Sequence, residues 1–441
     1  MTIAKIALGL IGLGIVVFVH ELGHFLAARL VGIDVEAFSI GWGSPILKKK
    51  IGAVEYRLGM FPVGGYCKMR GADDIKGMLD NSTSGSFYGA SPWRRIVVCL
   101  AGPLFNLLFA VMVLSVIWGI GFEVQTLESR IILASEVNTD NTFPADRAGL
   151  RTGDRIIEVD GKRTEFFHEV QETIILNPDR PLPITIDREG EMLSMLVTPD
   201  LDRSSGAGRI GVFFWNDPVI GHIVPDSDAA IAGLLPGDRI ISINDQAITH
   251  TIDFMRAMEG HAIVTVGYER DGVTQTVDII QSDSSGLGIQ WETVTFRTPA
   301  LSPPAALAKG ALESWKTLTI SLKSLGLLFR GVELTEAVSG PVRITYMVGN
   351  VAAEAFGQSI GRGLRSLADF LALISIALCI MNLLPLPVLD GGQIVLFTVE
   401  IIRRKPLSPR VIGVFQTTGI VIIAGLMLFA LFGDIMFLSR R

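Results

Sequence analysis

Charge and cysteine are both scarce in this chain, and each scarcity closes off a class of protein. Only 19% of the 441 residues are charged while 49% are hydrophobic, and the mean hydropathy is +0.46. So apolar a chain is no ordinary soluble enzyme, and its length exceeds one domain. A membrane protein carrying soluble modules is expected. Lys and Arg number 38 against 44 Asp and Glu, for a net charge of -6, so no basic surface for nucleic acid is expected. The three cysteines, Cys67, Cys99 and Cys379, are too few and too scattered for a disulfide framework or a cysteine metal site.

Polar side chains are missing altogether from Ile6 to Val19, and then His20-Glu21-Leu22-Gly23-His24 arrives within five residues. On a helix, positions i and i+4 share a face, so His20 and His24 can aim at one metal ion with Glu21 beside them. The H-E-x-x-H string alone is weak. Its setting strengthens it, because ionisable residues near the membrane interior are costly and face a partner, cavity or metal. The competing reading is a polar helix end that snorkels to the headgroups.

Lys5 before an apolar run resembles a cleaved signal peptide with Ala27-Ala28 as small residues, but cleavage would remove the histidines. Residues 5–29 are read as a retained first transmembrane helix. The fourteen apolar residues from Ile6 to Val19 cover about 21 Å, so His20 and His24 lie nearer the far face of the membrane. That face carries the loop from Leu30 to Arg95, with nine Lys and Arg residues; by the positive-inside rule it is cytoplasmic. Within the loop, Val54 to Arg70 reads as a β-hairpin, with Pro62 and Gly64-Gly65 as turn signals. It is either a surface hairpin or a strand edge beside the metal site. Residues 71–91 are polar and rich in Gly and Ser, with no evident chemistry. A second apolar run, Ile96 to Phe122, carries Ala101-Gly102-Pro103 and Asn106, read as packing features.

From Glu123 to about Gln290 the character is soluble, and a ten-residue element repeats. Ala148 to Ile157 recurs 84 positions later as Ala232 to Ile241 with eight of ten residues identical, which marks duplication. Each copy runs from a short helix through a Gly-Asp turn into a strand. The pattern resembles PDZ domains in circularly permuted form, which implies either capture of an extended peptide at a sheet edge or steric gating. His168, His222, His250 and His261 lie here without metal-ligand spacing and are read as surface or core residues.

Pro303-Pro304 opens a helical stretch to about Gly331 whose Trp315, Leu318, Leu322 and Leu325 recur at spacings of three and four. Ser339-Gly340-Pro341 then breaks any helix. The next apolar segment, Leu367 to Leu384, leads into Asn382-Leu383-Leu384-Pro385-Leu386-Pro387-Val388-Leu389-Asp390-Gly391-Gly392. An acid at membrane depth is a functional candidate, and two prolines unwind the backbone so that Asp390 turns inward. The basic residues Arg403, Arg404, Lys405 and Arg410 place this end level with His20 and His24. Val411 to Leu438 is a fourth span.

A catalytic zinc takes three protein ligands and leaves a fourth position open. His20, His24 and Asp390 supply that set, and Glu21 is the acid/base that takes a proton from water and returns it to the leaving amine. A helical substrate must be unwound and its freed backbone groups paired; Gly64-Gly65 of the hairpin and Asn382 are candidate substrate-binding residues.

Together, HELGH in a first transmembrane helix, GGYCKM, AGPLFN, the tandem modules, SGPV and N-x-x-P-x-P-x-L-D-G resemble the bacterial site-2 proteases of the envelope-stress sigma-factor pathway. The resemblance implies an inner-membrane Zn2+ metalloprotease with periplasmic PDZ modules and an active site towards the cytoplasm. Its implied substrates are a single-pass anti-sigma factor, cut after a first periplasmic cleavage, and remnant signal peptides. Carried over residue by residue, it makes His20, His24 and Asp390 zinc ligands, Glu21 the catalytic acid/base and Asn382 a substrate contact. The expected fold is a polytopic α-helical membrane protein of about four transmembrane helices with a membrane-associated β-hairpin and two inserted α+β PDZ domains. Its expected divisions are 1–122 (first membrane half), 123–208 and 209–292 (PDZ domains), 293–366 (amphipathic juxtamembrane segment) and 367–441 (second membrane half). The alternative is a catalytically silent PDZ scaffold for periplasmic partners.

Overall fold

The computed structural model describes residues 2–72, 85–138, 141–203, 206–281, 287–327 and 360–439. Ser339-Gly340-Pro341 and residues 73–84 of the polar stretch lie outside them. Two compact units form: one of 2–122, 299–327 and 360–439, the other of 123–298.

The first unit contains helices α1 (Thr2–Leu30), α2 (Pro92–Ile120), α3 (Pro303–Leu327), α4 (Ile360–Leu383), α5 (Asp390–Arg403) and α6 (Pro409–Ser439). Four stretches are long and apolar enough to cross a membrane: Gly9–Leu30, Pro92–Ile120, Ile360–Leu383 and Pro409–Asp434. One face of α2 shows why these helices suit lipid. Leu104, Leu108, Met112, Val116 and Ile120 recur every fourth residue and are each more than half exposed. The opposite face carries Asn106 and Ala110, fully buried, the latter packed with Ala372, Ile376 and Ile380 of α4. On α3 the expected apolar stripe divides: Leu318 packs against this cluster while Trp315 and Leu322 stand exposed. Ala306 and Ser314 are buried instead.

The hairpin expected within 54–70 is part of a larger sheet. Strand β1 (Val35–Ile51) pairs with strand β2 (Val54–Met69), and the tight turn falls at Gly52, whose φ of 62° is left-handed. Residues 37–40 are paired on both sides, Ile40 standing opposite both Leu58 and Gly65, while Lys48 to Ile51 close against Val54 to Arg57. Gly64, at φ 81°, lies between the two stretches of β2, 55–58 and 65–68, that pair on opposite sides of residues 37–40; a Cβ there would lie 2.6 Å from the Trp42 indole. Pro62 therefore sits in a bend of β2 and not in a hairpin turn. Among the described residues, 65–69 form an edge strand, paired on one side only. The sheet is fastened to α1 by aromatic contacts, Phe38 lying 5.9 Å from Phe18 and 5.2 Å from Phe25.

The second unit holds two four-stranded sheets with the same order. One runs Lys162–Arg163, Arg155–Val159, Leu182–Arg188, Glu191–Val197; the other runs Gln246–Ala247, Arg239–Ile243, Ile263–Arg270, Val273–Ile280. Each has its own core. Ile156, Val159, Leu182, Ile184 and Ile186 pack with Phe167, Val170 and Ile174, and Ile240, Ile243, Val264 and Val266 pack with Phe254, Ala257 and Met258. The duplicated decapeptide builds the same device twice. Asp154 and Asp238 are buried at the turn, each accepting a backbone N–H, from Arg151 and Leu235 at 2.8 Å. Each is gripped in two-pronged fashion by an arginine of the third strand, Arg188 or Arg270, whose outer nitrogen also reaches the carbonyl of Gly149 or Gly233. Such forked charge-assisted pairs fix both distance and plane.

Packing and pairing run past the expected boundary at 208/209. Ile210 belongs to the first core, and Val212–Phe214 pairs with Ile131–Leu133. The segment expected to begin an amphipathic region at 293 opens as strand Val294–Thr298, paired with Phe122–Thr126.

Candidate metal centre

The helical stagger of α1 stacks His20 and His24 on one face, 9% and 8% exposed. Two glycines let that face meet α2. A Cβ on Gly23 would lie 2.5 Å from the carbonyl oxygen of Ala101, and one on Gly102 would lie 2.5 Å from Nε2 of His24. Any larger residue at either position pushes the helices apart.

Asp390 reaches the same point from the other end of the unit. After α4 ends at Leu383, the stretch 384–389 is non-helical and Val388 takes a φ of 79°, costly for a β-branched residue. A Cβ on Gly391 or Gly392 would run into the backbone carbonyls of Leu383, Leu384 or Leu386. The Asp-Gly-Gly start of α5 is thus what the tight fold-back requires.

The three side chains converge. Nε2 of His24 lies 3.1 Å from Nε2 of His20, and Oδ2 of Asp390 lies 3.2 Å from His20 and 3.4 Å from His24. Four-coordinate zinc with bonds of about 2.0–2.1 Å sets neighbouring ligand atoms about 3.3 Å apart. Among the described residues this is the one cluster of three metal-ligating side chains. Asp390 Oδ2 is buried without a hydrogen bond. Two imidazole lone pairs and a carboxylate oxygen facing one another repel unless a cation or protons lie between them, so the donor set fits a metal ion.

The second nitrogen of each ring decides whether the first is free to bind. His24 Nδ1 lies 2.8 Å from the carbonyl oxygen of Val98, to which only Nδ1–H can donate, so Nε2 carries the lone pair. His20 Nδ1 lies 3.3 Å from the amide nitrogen of Asn106, while the Oδ1 of that fully buried amide has no partner. Turning the amide over, an exchange of near-identical atoms, lets Oδ1 accept from Nδ1–H and satisfies both groups. His20 Nε2 is then bare.

Glu21 points to the sheet. A Cβ on Gly65 would lie 3.5 Å from its Cγ. The edge strand 65–69 thus runs beside the acid. Asn382 is half-buried in the last turn of α4 and has no hydrogen-bond partner among the described residues. The structure brings His20, His24 and Asp390 together and sets Gly65 against Glu21; Gly64 lies against Trp42 instead. From sequence Asn106 and Gly102 are expected only as packing residues; a lone Asn within an apolar run is the one signal for Asn106.

A family model described as peptidase family M50 matches residues 8–426. A protein of Treponema pallidum (strain Nichols) named "Putative zinc metalloprotease" is 35% identical over 98% of this chain and 99% of its own length. The "Regulator of sigma E protease" of Haemophilus influenzae is 31% identical over 96% of this chain and 97% of its own. With the family model spanning nearly the whole sequence and such relatives aligned from end to end, this chain belongs to peptidase family M50.

Proposed function

We propose that this zinc metalloprotease cuts a peptide bond inside the transmembrane segment of a single-pass membrane protein. The observation that carries this reading is the convergence of His20, His24 and Asp390 within 3.1–3.4 Å, on α1 and at the start of α5, in a unit with four helices fit to cross a membrane.

His20, His24 and Asp390 hold the metal, with Asn106 and the Val98 carbonyl fixing the two imidazoles. Zinc bound there acidifies water and polarises the scissile carbonyl. Glu21, the neighbour of His20, takes the proton and delivers it to the leaving amine, and the close approach of Gly65 keeps its side chain beside the strand. A transmembrane helix cannot be attacked until its backbone is unwound, and its freed N–H and C=O groups then need partners. The edge strand 65–69, open on one side and adjacent to Glu21, offers a row of them, and Asn382 contributes a side-chain contact.

The substrate is an anti-sigma factor after a first cleavage has removed its outer part, with remnant signal peptides as a second class. The name of the Haemophilus influenzae relative supports the sigma-factor reading. The active site faces the cytoplasmic side of the inner membrane, as the Lys and Arg bias of residues 30–95 supports. The two modules, taken as PDZ domains over 123–208 and 209–292, stand in the periplasm; the pairing of Val212–Phe214 with Ile131–Leu133 supports a division a few residues later. There they capture a peptide end or exclude substrates by size.

The test is metal dependence on a transmembrane substrate. Purified full-length protein with a fluorogenic transmembrane peptide in detergent cleaves it, loses activity on chelation and regains it with added zinc. A silent scaffold would give no cleavage in any of the three conditions.

A further inference from the structure

Where α2 begins and α5 ends, the membrane unit has a cavity of about 490 Å³ whose lining includes Tyr88, Trp93, Arg95, Glu400, Arg404 and Lys405. Arg95 and Glu400 form a buried pair across it, Nη2 to Oε2 at 2.6 Å, with side chains 6% and 4% exposed. Glu400 is fully committed, because its other oxygen accepts the Leu407 N–H at 3.0 Å. Arg95 is not. Its Nε is buried without an acceptor, although its guanidinium rests over the Phe397 ring at 4.4 Å. Arg404, at a left-handed φ of 52°, and Lys405 follow on the rim, both exposed and without an ion-pair partner among the described residues. Three cations therefore line a cavity whose one carboxylate is already in use, and a buried N–H lacks an acceptor oxygen.

The lining continues onto a hydrocarbon track. Trp93 is 65% exposed, and Val97, Leu100, Leu104 and Leu108 follow it up α2 at spacings of four and three, each at least 42% exposed. These steps keep one helix face. A tryptophan at the end of a span sits at headgroup level, and basic pockets between helices at that level bind anionic headgroups. We propose that this cavity binds the phosphate of an anionic phospholipid, with the acyl chains lying along the Trp93 to Leu108 stripe. A free anion would use the cations and leave the stripe unused.

The experiment uses the full-length, zinc-loaded protein in detergent, titrated with dioctanoyl phosphatidylglycerol, dioctanoyl phosphatidylcholine and inorganic phosphate, with binding read by native mass spectrometry or calorimetry. Phosphatidylglycerol is expected to bind at least tenfold more tightly than either other probe. The Arg404→Asn, Lys405→Gln variant, in which Asn keeps the left-handed cap, is expected to lose at least tenfold of that affinity while retaining its zinc. Should that variant lose zinc through misfolding, the exposed single change Lys405→Glu is expected to weaken phosphatidylglycerol binding in its place. Equal binding of the two lipids, phosphate binding as tight as phosphatidylglycerol, or undiminished binding by the charge variants would each overturn the proposal.

Discussion

The amide of Asn106 lies 3.3 Å from Nδ1 of His20, from one helix to the next, and its oxygen has no other partner. A proton on His20 Nδ1 leaves Nε2 bare toward His24 and Asp390, so in the proposed site this buried amide selects the tautomer of a residue 86 positions away. Removing such a partner weakens metal binding by about 10–100-fold. Asn106→Leu is expected to lower zinc affinity by that much in chelator competition. Asn106→Asp, which keeps an acceptor oxygen, is expected to retain most of it. Equal affinities for Asn106→Leu and the parent would show that the amide only fills space.

Gly102→Ala is expected to cost the metal site more than its single methyl suggests. The new Cβ would lie 2.5 Å from His24 Nε2 and 2.7 Å from His20 Cε1, and overpacking of a tight site costs about 1–3 kcal/mol. Zinc content of the purified variant should fall well below one per chain while the protein still inserts into membranes. A full complement of zinc would show that the helices can separate freely.

The edge strand yields a different signature. Gly65→Val places a Cβ 2.7 Å from the Ser39 carbonyl and close to Glu21, disturbing the strand without touching a ligand. Turnover of a transmembrane peptide is expected to drop at least tenfold with zinc content unchanged, and Asn382→Ala is expected to raise KM or lower kcat in the same assay. Unaltered kinetics in either variant removes that residue from the substrate-binding role.

His250 is expected to make the second module acid-sensitive. Burial, the largest influence, pushes its imidazole below the usual value of 6.5, against the opposing pull of Asp253 and Glu136. Neutral Nδ1 accepts the Asp253 N–H at 3.2 Å and so caps helix Thr251–Met258. A depressed value means the unfolded chain binds the proton more readily. The stability is present above about pH 6.5 and is lost as pH falls through the lower folded value. Amides of residues 251–258, corrected for intrinsic rates, should exchange faster at pH 5.5 than at pH 7.5. His250→Asn, still able to cap, should flatten that difference, and a pH-independent parent would contradict the assignment.

How much of this was legible in the sequence depended on whether the signal was local. His20 and His24 sit one helical turn apart, so spacing alone put them on one face, and Asp390 announced itself as an acid in an apolar setting. The duplicated decapeptide was visible as text, but the arginines that complete it, Arg188 and Arg270, lie more than 30 residues downstream of their aspartates and carry no local mark. Residues 35–51 read as loop because Lys48-Lys49-Lys50 and two nearby glycines obscured their alternation; their pairing with 54–69 is a tertiary fact. Asn106 was the instructive miss. A polar residue in a span wants a partner, but only the fold reveals that the partner is His20.

The central claim is tested most directly at Glu21. Full-length protein and its Glu21→Gln variant, matched for bound zinc, are incubated with a transmembrane peptide and the products are mapped by mass spectrometry. A single cut within the apolar segment by the parent, with the variant's rate lower by at least two orders of magnitude at equal zinc content, is the expected result. Cleavage by Glu21→Gln at the parent's rate would contradict the assignment of this site as the centre of proteolysis.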